Sequence, residues 1–145
     1  MDKELSTLNL IDLISERHKE LRNKVQKSWK ENNEEELSNT ETYILSLIEK
    51  NNITMSEIAR VIGISRQGVH KCVRNLENKG YVKLDYMINN QKEKSVVLTE
   101  KGKECYDIIN NIKSQIEDEI KNNIGEESLE KLRKILCEKF LNEEK

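Results

Sequence analysis

The chain has 145 residues, a formal net charge of −2 and 35% hydrophobic side chains. That length suits one domain, and the apolar share lies below the ~45–50% of ordinary globular chains, so long helices would be thinly covered without a partner subunit. No leader, no ~18-residue apolar run and no Cys-x-x-Cys spacing occurs, so a soluble, cytoplasmic protein with no membrane contact, zinc site or other cofactor is expected.

Residues 3–33 predict one long helix. Ile11, Ile14, His18, Leu21, Val25 and Trp29 step along a single stripe, widened early by Leu10 and Leu13. His18 reads as a packing residue and Trp29 as an anchor near the helix end. A polar, acidic connector covers residues 31–37. Ser38 and Glu41 then form a capping box that opens a helix to about Lys50, with Ile44, Leu45, Leu47 and Ile48 as its apolar face. Asn51-Asn52 reads as a turn, and Ile53 as a one-residue strand contact.

The stretch from Thr54 to Gly80 organises the rest. Thr54 and Glu57 form another capping box, Ile58, Ala59 and Ile62 make one stripe, and Gly63 ends the helix where a left-handed residue is wanted. Ile64 is expected to point inward and Ser65 to cap a second helix. In that helix Val69, Cys72, Val73 and Leu76 share a buried face. Gln67, Lys71, Arg74 and Asn78 cluster on the opposite face, flanked by His70, with Arg66 near the start. Two short helices, the second with a basic, donor-rich face, follow the helix-turn-helix layout that places its second helix in the DNA major groove.

After Gly80 the period changes to two. Val82, Leu84, Tyr86 and Ile88 are expected on one face of a strand, with Tyr81, Lys83 and Asp85 on the other. Asn89-Asn90-Gln91 reads as the turn, and Lys94 to Leu98 as the returning strand, with Val96 and Leu98 inward. This hairpin is a wing whose tip carries Gln91, Lys92 and Lys94. A long helix follows from Thr99 to about Asn123, striped by Cys105, Ile109, Ile112, Ile116 and Ile120. Gly125 breaks it, and a last helix from about Glu126 carries Leu129, Leu132, Ile135, Leu136 and Phe140.

Charge follows the same division. From Thr54 to Lys94 eight basic residues face four acidic ones, a balance of +4, so the remainder of the chain carries −6. A basic middle between acidic ends suits a protein that turns one face to a polyanion. Cys72, Cys105 and Cys137 are widely spaced on or near apolar stripes and read as buried free thiols rather than a redox switch. No Ser-His-Asp or Cys-His arrangement and no Gly-rich phosphate loop stands out, and there are two histidines, so no enzyme is expected.

The element order, together with Leu37-Ser38, Ile64-Ser65, Leu76-Glu77-Asn78-Lys79-Gly80-Tyr81-Val82 and Leu98-Thr99-Glu100-Lys101-Gly102, resembles the MarR family of bacterial transcriptional regulators over nearly the whole chain. The resemblance implies outer helices that interlock in a two-fold homodimer on pseudo-palindromic double-stranded DNA. It also implies a cleft between the arms and the reader domain for a small, often aromatic or anionic effector. Where family members carry Asp-x-Arg at the wing tip, this chain has Asn90-Gln91-Lys92, and lysine lacks the planar fork of arginine. The oxidation-sensing cysteine of one subgroup lies in the first helix, and this first helix has none.

The expected fold is therefore mainly α with a small β-hairpin wing: a winged helix-turn-helix flanked by dimerisation helices. Its expected parts are an N-terminal dimerisation helix (residues 1–36), a winged helix-turn-helix DNA-binding region (37–99) and C-terminal dimerisation helices (100–145). The DNA-binding residues are expected to be Ser65, Arg66, Gln67, His70, Lys71, Arg74, Lys92 and Lys94. The expected function is a sequence-specific regulator, read as a repressor. The alternative is a winged-helix protein–protein interaction module, which would have no need of the basic middle segment.

Overall fold

The computed structural model describes residues 3–50, 52–87 and 90–143, with residues 86, 87 and 90–94 described by backbone alone. The elements run α1 (Leu10–Asn32), α2 (Asn39–Lys50), β1 (Ile53–Thr54), α3 (Met55–Ile62), α4 (Arg66–Asn78), β2 (Val82–Met87), β3 (Asn90–Leu98), α5 (Glu100–Ile124) and α6 (Glu126–Cys137).

The first helix departs from the predicted span. A 3-10 turn covers Leu5–Thr7, and α1 opens only at Leu10, because Asn9 is extended and its side chain accepts the Asp12 N–H at 2.9 Å. Asparagine competes for backbone donors this way and caps rather than continues a helix. Only the C-terminal half of the predicted stripe is buried. Val25 and Trp29 enter the core, whereas Leu10, Ile11, Ile14 and His18 are exposed. Trp29 is the expected anchor: its indole Nε1–H donates to the Glu35 carbonyl at 2.8 Å.

α2 begins with the predicted capping box, both halves formed. Ser38 Oγ accepts the Glu41 N–H at 3.0 Å, and the Ser38 N–H donates to Glu41 Oε1 at 3.1 Å. Ile44, Leu45 and Ile48 face a core shared with Ile58, Val69, Val73, Leu76, Val82, Val96, Cys105 and Ile109. α5 is capped by Thr99 Oγ1, which accepts the Gly102 N–H at 3.1 Å. It lays Cys105 and Ile109 on that core and runs on past it. Gly125, at φ +90°, separates α5 from α6. α6 contains no buried residue, and Phe140 lies beyond its end rather than in its stripe.

The sheet is antiparallel with strand order β1-β3-β2. The contact expected of Ile53 is a two-residue strand, Ile53 opposite Val96 and Thr54 opposite Ser95. β3 starts at Asn90, earlier than the predicted Lys94, and Asn90 pairs with Met87. The register shifts between Tyr86, opposite Lys94, and Met87, so residues 91–93 form an irregularity in β3. Asn90, Gln91, Lys92 and Lys94 are thus strand positions beside the tip, and the expected turn residue Asn89 and inward Ile88 lie outside the described residues. Tyr81 was expected on the outer face of the strand, but it precedes β2 and its ring is buried.

Candidate nucleic-acid interface

α3 and α4 meet at a corner built from three local devices. Thr54 Oγ1 accepts the Glu57 N–H at 3.2 Å to start α3. Gly63, at φ +78°, closes it by donating its N–H to the Ala59 carbonyl at 2.9 Å, a left-handed geometry costly for a residue with a Cβ. Ser65 Oγ accepts the Gly68 N–H at 3.1 Å to start α4. Ile64 is not turned inward as expected: it is partly exposed, and its Cδ1 lies 3.5 Å from where a Cβ on Gly68 would sit.

Val69, Val73 and Leu76 are fully buried against Ile58 and Ala59, and this fixes which side of α4 faces solvent. Cys72 sits half-buried on the flank of that stripe. The outward side carries Gln67, His70, Lys71 and Arg74, all exposed. Among the described residues Lys71 and Arg74 make no ion pair, so two cations project freely beside one amide and one imidazole. Arg66, the first residue of α4, donates from Nη2 to Ser56 Oγ on α3. Ser65 is committed to its capping bond. The structure therefore brings Ser65, Arg66, Gln67, His70, Lys71 and Arg74 onto one helix and its N-terminal cap. Lys92 and Lys94 stand on β3 by backbone position, their side chains outside the described residues.

Residues 38–83 match the winged helix-turn-helix DNA-binding family. Over 106 residues, 72% of this chain and 70% of the relative, the sequence is 31% identical to the HTH-type transcriptional regulator TcaR of Staphylococcus aureus. The chain belongs to the MarR family of winged-helix transcriptional regulators. It is a DNA-binding regulator of the MarR type, in a family of regulators rather than enzymes. Among solved structures it resembles MarR, at 20% identity and a TM-score of 0.78 over 94% of this chain and 89% of that one. BldR from Sulfolobus solfataricus superposes with a TM-score of 0.71 at 22% identity, over 94% and 98% of the two chains. A S. aureus MepR mutant bound to an oligodeoxyribonucleotide gives 0.61 at 18% identity, over 89% and 94%. These likenesses show the shared MarR-type fold.

Two basic residues near the exit of α4, one on each side of β2 and β3 in the chain, have other partners. Lys79 donates from Nζ to the Glu36 carbonyl at 2.5 Å and lies 3.7 Å from the buried carboxylate oxygen Glu41 Oε2. Lys101, from the first turn of α5, pairs with Glu35 at 3.0 Å. Sequence reading missed this group, although Lys79, Tyr81 and Lys101 all lie in the segments that carried the family resemblance. The cysteines divide by environment. Burial pushes the Cys105 thiol up to about 12 and raises that of Cys72, whereas Cys137 is exposed at the end of α6, contrary to the expectation of burial. No helix among the described residues is long and apolar enough to cross a membrane.

Proposed function

We propose that this MarR-family regulator acts in the cytoplasm as a two-fold homodimer that represses transcription by occupying a pseudo-palindromic operator. The observation that carries the reading is the outward face of α4, where Gln67, His70, Lys71 and Arg74 are exposed opposite a fully buried stripe. Gln67 suits adenine, and Lys71 and Arg74 suit guanine or phosphate. Lys92 and Lys94 would add backbone contacts from the wing. A protein–protein module would explain the fold but not this unpaired cationic face.

Dimerisation is supported by apolar surface that one chain leaves bare. Ile11 is 76% exposed on α1, and Ile135, Leu136 and Leu141 are 55%, 58% and 82% exposed at the C-terminal end. A cavity of about 510 Å³ lies between α1, α5 and α6, lined largely by Leu21, Val25, Ile116, Ile120, Leu129 and Leu132. A second copy would cover these faces, assigning residues 1–36 and 100–145 to the interface and 37–99 to reading. It would also set two copies of α4 on half-sites about 10 base pairs apart.

The anionic effector is supported by a concentration of cations where α1, α2 and α5 converge. Lys113 is half-buried, 3.4 Å from Ser46 Oγ, and its pKa is lowered first by burial and then by Arg22 and Lys50. None of the three makes an ion pair among the described residues. Cations gathered without counter-charge favour an anion that would supply it.

Selection of bound duplexes from a random pool, with sedimentation of the complex, tests the reading. We expect a two-fold symmetric motif bound by two chains. An asymmetric motif held by one chain would remove the dimer, and no enrichment at all would turn the reading toward the interaction module.

A further inference from the structure

The exit of α4 is held by a clasp that neither the corner nor the exposed face requires. Gly80, at φ +85°, reverses the chain, and Tyr81 drops its ring into the core. The Tyr81 O–H donates to Glu35 Oε2. Lys101 Nζ reaches the other oxygen, Glu35 Oε1, at 3.0 Å, and also the Lys79 carbonyl at 2.6 Å. Its ammonium lies 4.6 Å from the centre of the Tyr81 ring. The backbone carbonyl of Glu35 is the acceptor for Trp29 at the end of α1. One residue of the α1–α2 connector therefore ties together the arm, the end of α4 and the start of α5.

Each bond has a local reason. The Lys79 carbonyl is among the last of a helix and needs a donor, and a cation there also meets the negative end of the helix dipole. A buried tyrosine hydroxyl needs a partner, and an ammonium over an aromatic face is favourable. Stability alone does not explain the assembly, however. Lys101 and Glu35 are 49% and 41% exposed, and exposed ion pairs contribute little. What the clasp supplies is direction. A helix of 13 residues is roughly 20 Å long, so a tilt of about 5° at its C-terminal end moves the other end by nearly 2 Å. Gln67 is near that other end, and hydrogen bonds to base edges do not survive such a shift.

We propose that Glu35, Tyr81 and Lys101 are positioning residues for DNA binding: the clasp sets the pitch of α4 against the arm, and Lys79 and Lys101 act there rather than on DNA phosphates. This rests on the sequence-specific reading above.

The test uses the full chain and a duplex recovered from the random pool with the wild-type protein. Lys101→Met should lower affinity for that duplex by about tenfold, the scale of one base contact, while barely changing affinity for random duplex. The slope of log affinity against log salt should stay that of the wild type, because no phosphate contact is lost. Lys101→Arg, which keeps the charge and the reach, should restore binding, and Glu35→Gln should repeat the selective loss. A slope flattened by about 0.9 in Lys101→Met would make the residue a phosphate contact and overturn the proposal. So would unchanged affinity in both Lys101→Met and Glu35→Gln, with the specific reading left standing. Equal losses on selected and random duplex, with a lower melting temperature and no rescue by arginine, would reduce the clasp to a structural brace. A wild-type chain that selects no duplex would overturn both readings.

Discussion

The backbone of Gly102 lies so close to Tyr81 that a Cβ added there would sit 2.0 Å from the Tyr81 carbonyl oxygen. That oxygen cannot withdraw, because it accepts the Thr99 N–H at 3.1 Å where β3 turns into α5. The glycine is needed for the close approach of α5 to the exit of α4. Gly102→Ala should therefore destabilise the chain by ~1–3 kcal/mol or more, as overpacking does. Urea unfolding would measure it, and an unchanged midpoint would show that the joint yields freely.

Gln67 offers the sharpest test of the α4 face. Its side chain is exposed and, unlike Arg66, is not tied back to α3. Gln67→Ala should cost ~1–3 kcal/mol on the preferred duplex and broaden base choice at one position in each half-site. Binding titrations over a set of single-base variants would reveal this. Affinity and preference both equal to wild type would exclude the face from base reading.

Lys92 should behave in the opposite way. Placed beside the wing tip on β3, it is expected to displace counterions without choosing among bases. Lys92→Ala should weaken binding evenly across sequences and flatten the log–log salt slope by about 0.9. A slope that does not move would rule out a backbone contact by this residue.

Features carried by neighbouring residues were legible in the sequence, and those made by distant ones were not. The caps at Ser38, Thr54 and Ser65 and the breaks at Gly63 and Gly125 are each decided within about four residues and formed where expected, as did the buried stripe of α4 apart from the half-buried Cys72. The break at Asn9 was local too, with its capping bond three residues ahead, but the long apolar stripe outweighed it in the reading. Tyr81 fails differently. Alternation sends it outward, whereas its burial depends on Glu35, 46 residues earlier in the chain, and on Lys101 in the next helix. The exposure of Gln67, His70, Lys71 and Arg74 followed from helical period. The cation group at Lys113 could not be read from period, because it exists only where three helices converge.

Lys113 has a folded-state pKa below the ordinary lysine value of 10.5. The sign follows from the direction. Being charged is disfavoured in the fold, so the lysine destabilises the native state at pH values below its lowered pKa. That penalty fades as pH rises through the lowered value toward 10.5. At neutral pH, Lys113→Met should raise the melting temperature of the ligand-free protein by about 1–3 °C. Benzoate should stabilise the wild type and not the variant. A variant that melts lower, or equal stabilisation of both proteins by benzoate, would separate this residue from any anion site.

Thr54 holds two posts at once: it pairs with Ser95 as the last residue of β1, and its hydroxyl starts α3. Val96, next to Ser95, is fully buried between Leu84 and Ile53 on the flanking strands. A hairpin rooted in this way is held at its base by pairing on both sides of β3. The separation between the wing root and α4 is therefore set when the chain folds, not when DNA arrives. If α4 and the wing contact DNA as proposed, the pair would work as a caliper. Two duplexes with the same bases under α4 but a different twist between the major groove and the groove beside it would bind unequally, since one of them would have to be deformed to fit the gauge.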